Sequence, residues 1–544
     1  MKKIKIRRSM AYALLTMACL LSIVLAWGLP NQSVLAATED NTSARVSTIH
    51  KYTQGSSSST NSATGTTADA GNVPSDSEPL QGIKFTVTRV QKVSGKDLSA
   101  ADSSTYKVDD TFTAKTVATN ADGEAKANVG KGTAADGYYL VTEQASKLVT
   151  AGADPFIVHL PQTTKDASTG DTSILYSVDV YPKNEVDENA LALNPEKFVQ
   201  DAQATPDASL STPEVSATSA VTGKLVLWDL VVSRPADIET TDDAGNVTYA
   251  KQLTLSDPLI SKNLKYVGLN DFYFLTPNGE KTSLETGDFD LSNAKLDALA
   301  TEGDYSIASI ALTASGIKKF AEQPEGTKLV FPIATIITPD VSGVIRNTFD
   351  TYYQGTATKK VIHEHSGTNK PLTDGATNVL KPTLPTSADA SAPVVYTGNV
   401  TIHKTDEDGK SLAGATFKLY PSLADAKAGT KAIADGNGQV LTAKSDSDGI
   451  AQFIGLVVDP NTQQQDYYAV ETDAPSGYDL NGKAFKVTAK RDTDVDATVQ
   501  DPASVFPNLP LTGRTGRILL YTLAGVLILI GGTGIVITKR RRAR

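Results

Sequence analysis

The tetrapeptide Thr48-Ile49-His50-Lys51 returns unchanged as Thr401-Ile402-His403-Lys404. Downstream, Leu80-Gln81-Gly82-Ile83-Lys84-Phe85 parallels Leu412-Ala413-Gly414-Ala415-Thr416-Phe417, and Tyr138-Tyr139-Leu140-Val141 parallels Tyr467-Tyr468-Ala469-Val470. Three matches in one order make two copies of a single module, and no other feature constrains the fold as much. Short alternating runs bounded by Gly, Asp, Asn and Pro read as strands throughout. The class expected is all-β, with immunoglobulin-like sandwiches strung in tandem. The first copy spans residues 37–186 and the last 395–508. Between them lies a longer segment, 187–390, entered by Asn194-Pro195 and left through Lys381-Pro382-Thr383-Leu384-Pro385. Its runs Lys224–Val232 and Lys328–Ile337 predict strands of a third sandwich. The stretch Gly55–Ala70 is too polar to pack and is expected to be a mobile loop.

The two ends carry different signals. Lys2, Lys3, Lys5, Arg7 and Arg8 precede an apolar run, Met10–Trp27, then Pro30 and the small-residue site Val34-Leu35-Ala36. That order predicts a secretory signal peptide over 1–36, with an uncleaved N-terminal anchor as the other reading. At the far end, the 21 residues Ile518–Thr538 carry no charge, enough for a transmembrane segment. The basic tail at 539–544 would stay cytoplasmic. A plain C-terminal anchor needs no more than this, but Leu509-Pro510-Leu511-Thr512-Gly513 stands just ahead of the span.

Without 1–36 and 513–544, the chain keeps 39 Lys plus Arg against 61 Asp plus Glu, a net charge near −22. Nucleic acid is therefore no partner, since phosphate binding needs a basic patch. The single cysteine, Cys19, lies in the signal peptide, so the secreted product has no thiol and no disulfide. Exposed proteins usually rely on that staple, and another must be sought. No Gly-rich phosphate loop or Ser/His/Asp arrangement is apparent, so neither a cofactor nor an enzymatic activity is expected. His363-Glu364-His365 has the wrong spacing for a zinc helix and predicts a solvated edge, with no metal. Asp406-Glu407-Asp408-Gly409 lacks the closing ligand of a calcium loop and predicts a turn.

The pentapeptide 509–513, the apolar span and the basic tail, in that order, resemble the cell-wall sorting signal of Gram-positive surface proteins. The resemblance implies that a sortase cuts between Thr512 and Gly513 and holds Thr512 as a thioester. The last module resembles collagen-adhesin B-type domains, and Tyr468-Ala469-Val470-Glu471-Thr472-Asp473-Ala474-Pro475-Ser476-Gly477-Tyr478 is similar to the pilin E-box. Val178-Asp179-Val180-Tyr181-Pro182-Lys183-Asn184 resembles the pilin motif. Together these features resemble the major, backbone pilins of sortase-assembled pili. That implies a structural polymer whose partners are other copies of itself, pilus-specific and housekeeping sortases, ancillary pilins and peptidoglycan. The other reading is an ancillary or singly wall-anchored adhesin with a ligand of its own.

Alternation along Tyr176–Pro182 puts Lys183 on the face opposite Val178 and Val180, and Pro182 should end ladder pairing there, leaving Lys183 at an exposed edge. The resemblance implies an amide from Thr512 of one subunit to Lys183 of another; the bland reading is an ordinary surface lysine. In the last module Lys404 shares the face of Val400 and Ile402, costly unless its charge is removed. The resemblance implies an isopeptide bond from Lys404 to Asn508 with Glu471 shuttling protons, against a plain Lys–Glu ion pair. By the same analogy, Lys197 would join Asn347 with Asp257 assisting. Against this, Asp257 could cap a turn at Pro258, and Asp229 is a competing carboxylate. In the first module, aligning the tyrosine pairs puts Thr142 opposite Glu471 and turns Glu143 to the other face. Lys51 then lacks an aligned acid, and no bond is expected there unless a bulge restores the register.

Overall fold

The computed structural model describes residues 40–504 apart from 57–62, 166–169, 171, 204–213, 270, 292–303, 340, 342, 369, 373–376, 380, 492–493 and 495. The 1–36 leader with Cys19, Asn508, the 509–513 pentapeptide, the 518–538 span and the basic tail lie outside the described residues. No helix among the described residues is long and apolar enough to cross a membrane. The chain divides into two compact units, the first made of residues 1–190 with 240–248 and 356–359, the second of the rest.

In the first unit, Ala44–His50 lies between Ser177–Val180, parallel to it, and Glu124–Lys131, antiparallel. The facing sheet is centred on Lys84–Lys92, which pairs with Tyr106–Val108, Lys115–Ala118 and Gly137–Glu143. Phe156–Leu160 follows at the edge, paired with Gly137–Glu143 alone among the described strands. Alternation drives the layers together: Phe85, Val87, Tyr139 and Val141 are fully buried while Lys84 is exposed. The predicted mobile loop is partly built. Thr66 caps a 3-10 turn over Thr67–Asn72, and the buried Asp69 accepts the backbone N–H groups of Thr64 and Gly65. One carboxylate satisfying several donors orders a segment that composition alone marks as too polar to pack.

The second unit begins with a sandwich whose first sheet holds Leu225–Ser233 between Glu196–Gln200 and Lys328–Ile337. The strand expected at 224–232 is thus shifted by one residue, and that at 328–337 is found as expected. The opposing sheet places Gln252–Ile260 between Tyr305–Leu312 and Asp350–Gln354 and continues to Ile362–His365. Trp228, Leu255, Ile310, Phe331 and Phe349 fill the space between. The last sandwich opens on a 13-residue strand, Val394–Asp406. Its first residues pair with Ala217–Ser219 and Gly343–Arg346 of the preceding sandwich, and its later ones with Ile450–Leu456 and, in parallel, Ala497–Asp501. One continuous strand therefore belongs to two sandwiches. The Pro-rich stretch that marks the boundary in the sequence precedes this junction. The facing sheet is Thr416–Tyr420 with Thr442–Lys444, Gln465–Asp473 and Phe485–Ala489. The predicted turn at 406–409 is present, with Gly409 N–H donating to the Asp406 carbonyl.

Candidate functional site

Each sandwich buries one lysine near its first strand, and each lysine meets a carboxylate from the sheet opposite. The repeat extends to the backbone around it. Lys51 N–H donates to the Gly123 carbonyl and Lys404 N–H to that of Gly449, both at 2.7 Å. Leu80 and Leu412 N–H then donate to the Lys51 and Lys404 carbonyls, both at 2.9 Å. A Cβ at Gly123 or Gly449 would stand 2.4 Å from that lysine's carbonyl oxygen, and both glycines have φ above +70°. No other residue fits either position.

In the first module, Lys51 Nζ donates to Glu143 Oε2 at 2.7 Å and to Asn184 Oδ1, and Asn184 Nδ2 donates to Glu143 Oε1. The expectation that Lys51 lacks an aligned acid is overturned, and the register says why. Glu143 pairs with Phe85 as Glu471 pairs with Phe417, and Val141 with Val87 as Ala469 with Leu419. The buried tyrosines are Tyr139 and Tyr467, which are the true equivalents. Matching the tyrosine pairs letter by letter slips the alignment by one residue, which inverts the face. Burial pushes the Lys51 ammonium below its ordinary range, with Glu143 opposing.

In the middle sandwich the three predicted residues converge. Lys197 Nζ lies 2.5 Å from Asp257 Oδ2 and 3.2 Å from the Thr348 carbonyl, next in sequence to Asn347. Asp257, Asn347 and the Lys197 side chain are fully buried. The Asn347 carboxamide lies against Asp257, yet neither its oxygen nor its nitrogen has an aligned hydrogen bond. A buried, unsatisfied amide is costly and marks a group placed for something other than packing. Burial lowers Lys197 to about 8 and raises Asp257, each opposed by the other's charge. Trp228 and Phe349 rings lie 5.9 and 5.8 Å from the amine and exclude water. The turn-cap reading of Asp257 fails, because Pro258 lies inside the strand 252–260.

The competing carboxylate, Asp229, accepts from Gln200 Nε2 and does not meet Lys197, whose cross-strand partner is Leu230. Burial raises Asp229 to about 7, Gln200 opposing and Glu214 adding. Its folded pKa exceeds the unfolded 3.8, so its stabilisation is complete below that value and lost as pH rises through about 7. Asp229→Asn should therefore raise the unfolding free energy by about 2–3 kcal/mol more near pH 8 than near pH 5. Thermal melts of the two proteins at both pH values check this; equal shifts at both would contradict it.

In the last module, Lys404 Nζ stands 2.5 Å from Asp501 Oδ1 and 3.7 Å from Glu471 Oε1, all three fully buried. The Asp501 oxygens lack hydrogen-bond alignment despite that contact. Asn508, the predicted partner, lies outside the described residues. Asp501 occupies the place that Asn184 holds in the first module: Asp406 pairs with Asp501 as Thr53 pairs with Asn184, each two residues beyond the lysine. The alternation Ala497, Val499, Asp501 already turns this carboxylate inward, a signal available in the sequence. Burial raises Glu471 to about 7, Lys404 opposing and Asp501 adding. A buried lysine beside a carboxamide or carboxyl group, with an acid in reach, is an arrangement suited to amide formation.

Lys183 is half-buried rather than exposed. Pro182 does not end the pairing, because its carbonyl accepts from Tyr52 N–H and Lys183-Asn184 continue in parallel with Tyr52-Thr53. Proline removes only its donor, and here only its acceptor is used. His363 and His365 are not a solvated edge either. Both are buried, and both ring nitrogens facing Asp350 lie within 2.8 Å of its carboxylate. Asp350 also accepts Thr383 N–H, which fastens the Pro-rich stretch to the sheet. Burial works upward on Asp350, but these hydrogen bonds hold it below its ordinary pKa.

Residues 43–185 match the family described as Gram-positive pilin subunit D1, N-terminal domain. Residues 398–503 match a SpaA prealbumin-like fold domain, and 502–543 the LPXTG cell wall anchor motif. The chain is 25% identical to a fimbrial subunit type 2 of Actinomyces naeslundii, over 91% of this chain and 90% of that protein. It is also 25% identical to a fimbrial subunit type 1 of Actinomyces viscosus, over 94% and 93%. Among solved structures, the full-length major pilin SpaD of Corynebacterium diphtheriae is 20% identical, covering 86% of this chain and 100% of that one, with a TM-score of 0.37.

Proposed function

We propose that this chain, a pilin subunit of Gram-positive fimbriae carried at the cell wall, is the backbone of a covalent pilus closed by three internal amides. A class C sortase would take the Thr512 carbonyl as a thioester and release the fragment beginning at Gly513. Neutral Lys183 of another copy would then attack that carbonyl, the cysteine thiolate would leave, and an amide would remain. The leader would direct export, the 518–538 span would hold the precursor in the membrane, and a housekeeping sortase would pass the finished polymer to peptidoglycan.

The internal bonds would follow the geometry of each sandwich. Lys51 would attack the Asn184 carboxamide and Lys197 that of Asn347, each losing ammonia, with Glu143 and Asp257 carrying the proton. Lys404 would condense with the Asp501 carboxyl and lose water, with Glu471 assisting. The observation that carries the reading is the adjacency of Lys183 and Asn184 in one short strand. Tension entering at Lys183 would meet, at the next residue, the bond that keeps this strand from peeling off Tyr52-Thr53. The first module thus gains from a staple, although its core stands before the point of loading. Replacing Thr512 by alanine should leave monomer held at the membrane, read by blotting membrane and wall fractions. Covalent multimers of that variant would sink the proposed linkage.

A further inference from the structure

In the first and last sandwiches, the strand that carries the acid runs into a loop with one repeated set of backbone contacts. After Gly137–Glu143, Thr150 N–H donates to the Glu185 carbonyl and Asp187 N–H to that of Leu148, both at 3.0 Å. Val149 is bridged to Val186 between them. After Gln465–Asp473, Asp479 N–H donates to the Pro502 carbonyl at 3.0 Å and Ser504 N–H to that of Gly477 at 2.9 Å. Here Tyr478 is bridged to Ala503. Each loop thus zips antiparallel onto the chain just beyond Asn184 or Asp501, in the same order of donors and acceptors. Each then turns a backbone amide onto its acid. Ala153 N–H donates to Glu143 Oε2 at 3.1 Å and Asn481 N–H to Glu471 Oε2 at 3.0 Å, in both cases from ten residues downstream. Leu148-Val149-Thr150 and Gly477-Tyr478-Asp479 share no letter, so the match is one of backbone geometry alone.

We propose that these two loops are clasps that position the amide-forming step, with Ala153 and Asn481 as the positioning residues. The inference rests on the internal amides proposed above. In the last module the arrangement is most complete. The Asn481 amide holds Glu471 Oε2, while Oε1, without an aligned hydrogen bond, stands 3.7 Å from Lys404 Nζ. The Asn481 side chain also donates from Nδ2 to the Gln500 carbonyl at 3.1 Å, next in sequence to Asp501. One residue therefore orients the acid and holds the strand that brings the carboxyl. When the Lys404 ammonium and the Asp501 carboxylate condense, two protons pass from the amine to the departing oxygen by way of Glu471. One water leaves and Glu471 ends as it began. A carboxylate held in place beforehand spares the reaction the cost of orienting it. Asp257, by contrast, has an oxygen without such a donor, so the middle sandwich serves as an internal control.

The test uses the secreted chain, residues 37–512, collected as insoluble, unfolded product and refolded by dilution from denaturant across a range of pH. Samples are quenched at intervals and digested, and the cross-linked peptide of each sandwich is quantified by mass. Asn481→Pro removes the N–H. It should close the Lys404–Asp501 bond about ten-fold more slowly, with the acid limb of its pH–rate profile moved up by about one unit, because an N–H donated to a carboxylate favours the ionised form. The charged groups that face Glu471, Lys404 and Asp501, are the same in that variant. Asn481→Ala keeps the N–H and loses the Gln500 contact, so it should be about three-fold slower with its profile unmoved. The Lys197–Asn347 bond should close at the wild-type rate in both. Should Asn481→Pro melt abnormally, Ala153→Pro, read at the Lys51–Asn184 peptide, makes the same test. A folded proline variant that reacts at the wild-type rate, or more slowly with an unmoved profile, overturns the positioning. A wild type without cross-linked peptides sinks the amides on which it rests.

Discussion

The secreted chain should weigh less than its sequence by two ammonias and one water. Glu143→Ala and Asp257→Ala should each restore one ammonia, and Glu471→Ala the water. The physical basis is the same in all three sandwiches. A fully buried lysine side chain meets an acid that can pass the proton, and in the first and last sandwiches the amine also contacts the side chain it would attack. A loss of three ammonias would assign Lys404 to an asparagine rather than to Asp501, and an unreduced mass would refute all three bonds. Each bond closes a loop of roughly 100 residues or more, which in the chain-entropy treatment of cross-links is worth about 4–5 kcal/mol. Removing Glu143 or Asp257 also strands a buried lysine without its counter-charge, which costs about 3–5 kcal/mol, whereas Lys404 keeps Asp501 when Glu471 is removed. The unfolding midpoint of the affected sandwich should fall by on the order of 10–20 °C. A reducing agent should not reproduce the fall, since the secreted chain contains no thiol.

Much of this was legible in the letters because strands have a period of two. Leu253, Leu255 and Asp257 share a face by alternation alone, as do Ile345, Asn347 and Phe349, and all six are buried. The same rule placed Lys51 and Lys404 inward. What alternation does not supply is the pairing of strands distant in the chain. Glu143 escaped because two tyrosines in a row admit two alignments, and only tertiary packing chooses the buried one. Asp501 escaped because the last strand runs parallel to Val394–Asp406, a register no local pattern announces. Asn508, the partner that the resemblance implies, stands seven residues beyond the position that the parallel register brings to Lys404. The His363–His365 pair was misread for a related reason. Asp350, its partner, comes from the neighbouring strand and neutralises a motif that looks solvent-bound in isolation.

The shared strand Val394–Asp406 bears on how the polymer would carry load. Tension applied between Lys183 and Thr512 passes through the second and third sandwiches. A folded domain held by noncovalent contacts alone is stable by only about 5–15 kcal/mol and unravels under sustained force. A bond from Lys197 to Asn347 would short-circuit the second sandwich, and one from Lys404 to Asp501 the third. Between them the chain continues as one paired strand rather than as a free linker. The proposed staples therefore leave little folded length able to extend.

Lys183→Ala should abolish the polymer while leaving the monomer folded, because the side chain is half-buried and makes its ladder contacts through the backbone. Lys183→Arg should fail equally, since a guanidinium keeps its proton and forms no amide under these conditions. Wall extracts boiled in detergent should show a ladder for wild type and a single band for both variants. The most direct measurement is the junction itself. Proteolysis of purified wild-type pili should release a branched peptide in which the Thr512 carboxyl is joined to Lys183 Nζ; a junction at any other lysine, or a ladder that persists in Lys183→Ala, would contradict the account.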